Sequence, residues 1–193
     1  MFRFFAKFFF RLAGWELVGH LPIDVPKGLF VVAPHFYAKD FTVGLGARAN
    51  LNVKVGYLGK KELFTWYGGW LFRALGGYPV DRKRNNNLVE AVAAMFKERE
   101  SLYIALAPEG TRQDVAQLKL GFYYIALQAQ IPIIPVGFDF PRKKVVVGSP
   151  IHVKGNFAED LTPFYDFYLT IEGPKKQWLK TYEKTRLLSE PAR

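Results

Sequence analysis

No cysteine occurs in the 193 residues. That absence removes a disulfide framework, a thiolate nucleophile, an iron–sulfur cluster and a Cys-ligated zinc, and it leaves the redox compartment open. Histidine is scarce as well. His20, His35 and His152 are too scattered for an all-histidine site, so no metal is expected. No G-x-x-x-x-G-K run is present, which excludes the common phosphate-cradling nucleotide loop. G-x-S-x-G is also missing, and with it the usual α/β-hydrolase nucleophile.

Acidic residues are outnumbered, 17 against 27 Lys and Arg, for a net charge of +10. Such a chain wants an anionic partner: nucleic acid, an anionic membrane or a phosphorylated substrate. Half of the residues are hydrophobic and 23% charged, a globular composition with enough interior for one core. Aromatics are in excess at 17%, with 18 Phe. A groove that tracks nucleic acid needs charge and a few stacking rings, not a dense run of Phe, so nucleic acid is not the expected partner.

That run is at the amino terminus, MFRFFAKFFFRLAGW. Arg3, Lys7 and Arg11 recur every four residues and form one stripe of a helix, while Phe2, Phe5, Phe9 and Leu12 lie mostly elsewhere. Cations interrupt the apolar run and no small-residue cleavage pattern follows, unlike a secretory signal. The run is also shorter than the ~20 apolar residues that span a bilayer. Residues 1–20 therefore read as an amphipathic membrane-surface helix, with rings in the acyl boundary and cations on headgroups. The alternative is an amphipathic helix packed on the protein's own core. Residues 120–138 carry no formal charge, but Gln128, Gln130, Pro132 and Pro135 point to a buried helix followed by a strand rather than a membrane span.

No repeat or low-complexity linker is visible, so residues 21–193 read as a single domain. Residues 28–34 form a Val-rich apolar run suited to a strand buried on both faces. Further strands are expected at 51–58, 78–80, 102–107 and 133–138, with one or two more within 144–153. Helices are expected at 41–50, 61–75, after the Asn85–Asn87 cap, at 118–130 and at 175–188. This alternation predicts an α/β fold with a largely parallel or mixed central sheet flanked by helices.

Two segments share one design. VVAPH (31–35) and ALAPE (105–109) are each a buried strand ending in Ala-Pro before a polar residue. In open parallel sheets ligands bind beyond the carboxyl ends of the strands, so adjacent parallel strands would open His35 and Glu109 into one crevice. Asp40 follows His35 by five positions, about 140° away on a continuous helix, so the two meet only if the chain bends between them. A carboxylate on one imidazole nitrogen leaves the other free as a base. By spacing alone, a helix-capping Asp40 beside an unrelated histidine is the plainer reading.

In PEGTR (108–112), Gly110 permits a tight turn, Thr111 offers a hydroxyl and Arg112 suits a phosphate. Glu109 would fix Arg112 or accept from a substrate hydroxyl. Lys119 at a helix start opposes the helix dipole, which a bound anion would reconcile. VDRKR (80–84), with Arg82, is a cationic patch that suits phosphate or is simply a solvated basic loop.

In this order the segments resemble the glycerolipid acyltransferase family that acylates lysophosphatidic acid. His35 to Asp40 matches its H-x-x-x-x-D, GGYPVDR its short Gly-rich block, PEGTR with Lys119 and Gly121 its third block, and IPIIPVGF its apolar block with prolines. The intervening FYAK departs from the Asn, Ser and Trp common there. The resemblance implies acyl transfer from acyl-CoA or acyl-ACP, as co-substrate rather than bound cofactor, to the hydroxyl of lysophosphatidic acid, giving phosphatidic acid for phospholipid synthesis. His35 would be the base and Asp40 its orienting group. Glu109, Gly110, Thr111, Arg112, Arg82 and Lys119 would bind substrate. Phe2, Arg3, Phe5, Lys7, Phe9 and Arg11 would seat the chain as a peripheral protein on the cytoplasmic face of the membrane. Another lysolipid acceptor, or a basic lipid-binding protein without catalysis, are the competing expectations.

Overall fold

The computed structural model describes residues 2–21, 24–65, 67–80 and 88–189, the side chains of residues 2, 188 and 189 excepted. Three apolar runs make the middle of its sheet. They are β2 (Lys27–Ala33), β5 (Leu102–Leu106) and β6 (Ile133–Asp139), the last buried along its whole length. Strands covered on both faces are continuous in apolar character, which is why these three were legible. Around them lie β1 (Glu16–Val18), β3 (Val55–Lys60), β4 (Gly77–Val80) and β7 (Lys144–Val147). The order across the sheet is β1-β7-β6-β2-β5-β3-β4, and every neighbouring pair is parallel except β6 and β7. The expected mixed, mostly parallel α/β sheet is what the chain forms.

Helices cover both faces. On one side α1 (Phe2–Leu12) and α2 (Asp40–Leu51) send Phe10, Val43 and Ala47 onto Phe30, Val55, Ile134 and Val136. The same layer continues through the turn Lys61–Phe64 and α3 (Gly69–Ala74). Phe64 packs over Gly59 and Gly77, positions on the same face of β3 and β4 as Val55. On the other side α4 (Leu88–Lys97), α5 (Gly121–Ala129), α6 (Phe157–Leu169) and α7 (Gln177–Ser189) build the larger core with Leu29, Val31, Ile104 and Ile133.

Several boundaries differ from the sequence expectations. The strand expected from residue 51 begins at Val55, because α2 runs to Leu51 and closes on Asn52 at a left-handed φ of 66°. The helix expected over 61–75 breaks in two. A side chain at Gly69 would overlap the Phe64 backbone, with its Cβ 2.7 Å from the Phe64 carbonyl carbon, so the chain reverses there on glycine. α5 starts at Gly121 rather than 118, since the Lys119 N–H is drawn to the Pro108 carbonyl at 2.9 Å. Beyond β7, Ile151 makes only an isolated bridge to Ile133. β1 and α6 were not expected. Residues 120–138 divide into α5 and β6, and among the described residues no helix is long and apolar enough to cross a membrane.

At the amino terminus α1 packs on α2 through Ala6, Lys7 and Phe10, with Gly46 of α2 leaving room for the Phe10 ring. The Arg3 guanidinium donates to the Ala49 carbonyl at 3.2 Å. The opposite face presents Phe4, Phe5, Phe8, Phe9 and Leu12 to the outside, with Arg11 exposed beside them. Leu63, Tyr67, Trp70 and Leu71 form a second exposed apolar group in the same layer.

Candidate active site

β2 and β5 are immediate parallel neighbours, Val31 standing opposite Leu106, so their Ala-Pro ends release His35 and Glu109 at the same edge of the sheet. The chain bends at residues 36–39 before α2 begins at Asp40, and that bend carries Asp40 back to the histidine. His35 Nδ1 lies 2.7 Å from Asp40 Oδ2. The same oxygen accepts from the backbone N–H groups of Phe36 and Tyr37, both at 2.9 Å. Asp40 is buried and its other oxygen has no hydrogen-bond partner among the described residues, while the His35 ring is one-quarter exposed. Three donors on one oxygen fix the carboxylate as an acceptor, so a proton on Nδ1 faces it and Nε2 is left to act as a base.

Glu109 is committed elsewhere than expected. Its Oε2 accepts from the His35 backbone N–H at 3.0 Å and from Lys176 Nζ at 2.5 Å, and its Oε1 accepts from Trp178 Nε1 at 3.1 Å. Both side chains of the Glu109–Lys176 pair are fully buried. With its oxygens occupied, Glu109 neither pairs with Arg112 nor reaches a substrate hydroxyl. Burial pushes its carboxyl upward, a shift that the Lys176 ammonium, the His35 N–H and the Trp178 indole partly offset.

The rest of PEGTR wraps around that ammonium. Lys176 Nζ also donates to the carbonyls of His35 at 2.7 Å, Gln113 at 2.9 Å, Arg112 at 3.3 Å and Thr111 at 3.5 Å, and it sits 4.9 Å from the centre of the Phe36 ring. The Arg112 side chain points outward and makes no ion pair among the described residues. Gly110 has φ +67°, and the Lys119 side chain lies against it, 3.1 Å from where a Cβ would stand. The Thr111 hydroxyl accepts from the Gln113 N–H at 3.2 Å. Asp81, Arg82 and the Asn85–Asn87 cap fall outside the described residues. No group of three or more His, Asp or Glu that could hold a metal ion occurs among the described residues.

Lys176 and Trp178 were not anticipated, since lysines of a basic terminal helix are ordinarily solvated. A Lys-x-Trp pair entering an otherwise polar helix was the one available signal. The aromatic run FYDFY (164–168) also reaches the site. Tyr165 and Tyr168 of α6 pack on the Trp178 indole that holds Glu109, and the Tyr168 hydroxyl donates to the Val31 carbonyl of β2 at 2.5 Å.

Comparison with known proteins agrees with the resemblance. Residues 21–139, more than half of the chain, match the family model Acyltransferase. The human 1-acyl-sn-glycerol-3-phosphate acyltransferase beta is 35% identical over 88 residues, which are 43% of this chain and 29% of that protein. The 1-acyl-sn-glycerol-3-phosphate acyltransferase of Cocos nucifera is 31% identical over 86 residues, 41% of this chain and 28% of that protein. These matches span less than a third of either relative's length. A crystal structure of PlsC, the 1-acyl-sn-glycerophosphate acyltransferase from Thermotoga maritima, superposes with a TM-score of 0.56 at 19% identity, covering 100% of this chain and 79% of that one, which establishes the shared fold. The matched segment holds both strand ends that meet at His35, and by that match the chain belongs to the acyltransferase family.

Proposed function

We propose that the protein transfers a fatty acyl group from an acyl thioester, of coenzyme A or acyl carrier protein, to the free hydroxyl of 1-acylglycerol-3-phosphate, yielding phosphatidic acid and the free thiol. The observation that carries this reading is the 2.7 Å contact of His35 with a buried, triply bonded Asp40 at the carboxyl edge of the sheet. In the reaction, His35 Nε2 takes the hydroxyl proton as the oxygen attacks the thioester carbonyl, and Asp40 stabilises the imidazolium that forms. The C–S bond then breaks and the proton passes to the leaving thiolate. The acyl group moves directly between substrates, which suits a chain with no cysteine and no serine elbow. Arg112, outward-facing, and Lys119, laid over Gly110, are suited to the acceptor phosphate.

A bilayer is the natural source of such an acceptor. The exposed rings of α1 and the group around Trp70 belong to one layer of the fold, and Arg11, Lys60 and Lys61 are exposed among them, which suits the anionic surface of the cytoplasmic leaflet. The test is thiol release from acyl-CoA and acyl-ACP on liposomes, with and without 1-acylglycerol-3-phosphate or other lysolipids. Acceptor-dependent release should fall by about two to four powers of ten in His35→Ala, the usual scale for loss of a general base. Release undiminished in that variant, or absent with every donor, refutes the reading. Release with a different lysolipid alone reassigns the acceptor.

A further inference from the structure

One ion pair holds both peptide groups that flank the His35 side chain. Glu109 Oε2 accepts the His35 N–H and Lys176 Nζ donates to the His35 carbonyl, while the two charges meet at 2.5 Å. Asp40 holds the ring of the same residue from the other side. The histidine is therefore fixed at three points, two of which depend on a lysine 141 positions along the chain. Lys176 lies beyond residue 139, where the family match ends.

Its surroundings are built for a charged ammonium. The side chain is fully buried, five oxygens from two stretches of chain, residue 35 and residues 109–113, converge on it, and the Phe36 ring closes the remaining side. A buried ammonium is tolerated when its donors are satisfied by a carboxylate and carbonyls. A cation also gains from an aromatic face, which gives the unusual Phe36 a role. Neighbouring contacts lock the lysine's own backbone. The Gln177 N–H donates to Asp114 Oδ1 at 2.7 Å and the Trp178 N–H to the Val115 carbonyl at 3.0 Å. The start of α7 is thus joined, just after the ammonium, to the segment that follows PEGTR.

We infer that Lys176 is a positioning residue for His35, setting the backbone from which the imidazole is aimed. The inference rests on the catalytic reading of His35. Its function is distinct from substrate binding, since Lys176 has no exposed surface to touch a ligand.

The test compares Lys176→Met with Phe96→Leu, a core substitution on α4 remote from these contacts, and with the double variant Glu109→Gln/Lys176→Met, which removes both buried charges. Lys176→Met should lower kcat about a hundredfold with KM little changed, the scale of an ångström's misplacement of a reacting group. Phe96→Leu, at a similar loss in melting temperature, should keep its kcat. The double variant should recover melting temperature without recovering kcat. Recovery of both would make the pair a purely structural element and overturn the inference. A second readout needs no turnover: the proton NMR signal of the His35 Nδ1–H bonded to Asp40, assigned by its loss in His35→Ala. It should vanish or shift in Lys176→Met and persist in Phe96→Leu. If wild type releases no thiol with any donor, the acyl-transfer reading fails and the NMR comparison alone decides the positioning role. An unmoved signal in Lys176→Met refutes it.

Discussion

Replacing Asp40 by asparagine separates two roles that its carboxylate combines. The amide oxygen can still accept from His35 Nδ1, Phe36 N–H and Tyr37 N–H, because turning the amide the other way would aim its NH2 at three donors. The loop and the histidine tautomer should therefore survive, and only the negative charge is lost. Hydrogen bonds to a charged acceptor exceed neutral ones by roughly 1 kcal/mol each, so about 3 kcal/mol of stability should go with it. The effect on rate is larger. A full charge 2.7 Å from the imidazolium is worth about 6 kcal/mol at an effective dielectric of 20. The amide dipole restores part of this, leaving a penalty of about 3 to 4 kcal/mol, or a 10²–10³-fold loss in kcat. Thiol release at saturating donor and acceptor measures it, at a temperature where both proteins are folded. If Asp40→Asn loses stability but keeps kcat within a few-fold, Asp40 is a clamp for residues 36 and 37, and the imidazolium-stabilising role assigned to it is wrong.

On α1, Phe8 and Phe9 expose 52% and 60% of their surface, so a bilayer would gain about half of a full side-chain burial from each, roughly 1 to 1.5 kcal/mol. Phe8→Ser/Phe9→Ser should bind vesicles containing anionic lipid on the order of fiftyfold more weakly by sedimentation, and equal binding contradicts the membrane-surface role of this helix. Asp160 supplies a pH test on the opposite face. Burial raises its carboxyl, but the N–H groups of Lys154 and Gly155 and the Tyr123 hydroxyl outweigh that, and its pKa falls below the ordinary 3.8. A depressed carboxyl contributes stability above its unfolded value and loses it as pH falls through the folded one. The melting-temperature gap between wild type and Asp160→Asn should therefore narrow below pH 3.8, and a gap independent of pH would refute this assignment.

The sheet was legible where burial was complete. β2, β5 and β6 have no solvent face, so their sequences carry no polar alternation and stand out as apolar runs. Elements that compromise were harder to see. α6 carries Pro163 inside it and acidic residues in its first turn, and one of those acids, Asp160, is itself buried, so helical spacing was obscured. β1 has three residues and acquires strand character only by pairing with β7, a partner more than a hundred residues away. At the site, the motif residues could be named because their order in the chain is distinctive. Their division of labour could not. Glu109 sits in PEGTR like a ligand-binding group, yet its oxygens face inward, a fact decided by Lys176 and Trp178 from another part of the chain. A lysine whose burial depends on five distant oxygens has no local signature.

The dependence of the His35 loop on Lys176 also orders events in time. During synthesis His35, Asp40 and PEGTR leave the ribosome well before residue 176, and at ~5–20 residues per second the lysine follows Arg112 by some seconds. Throughout that interval Glu109 has neither its ammonium nor its indole partner. The nascent chain can carry every motif residue while the histidine's backbone is still unheld. Docking of α7 is then the event that closes the ring of oxygens around the Lys176 ammonium and holds both peptide groups of His35.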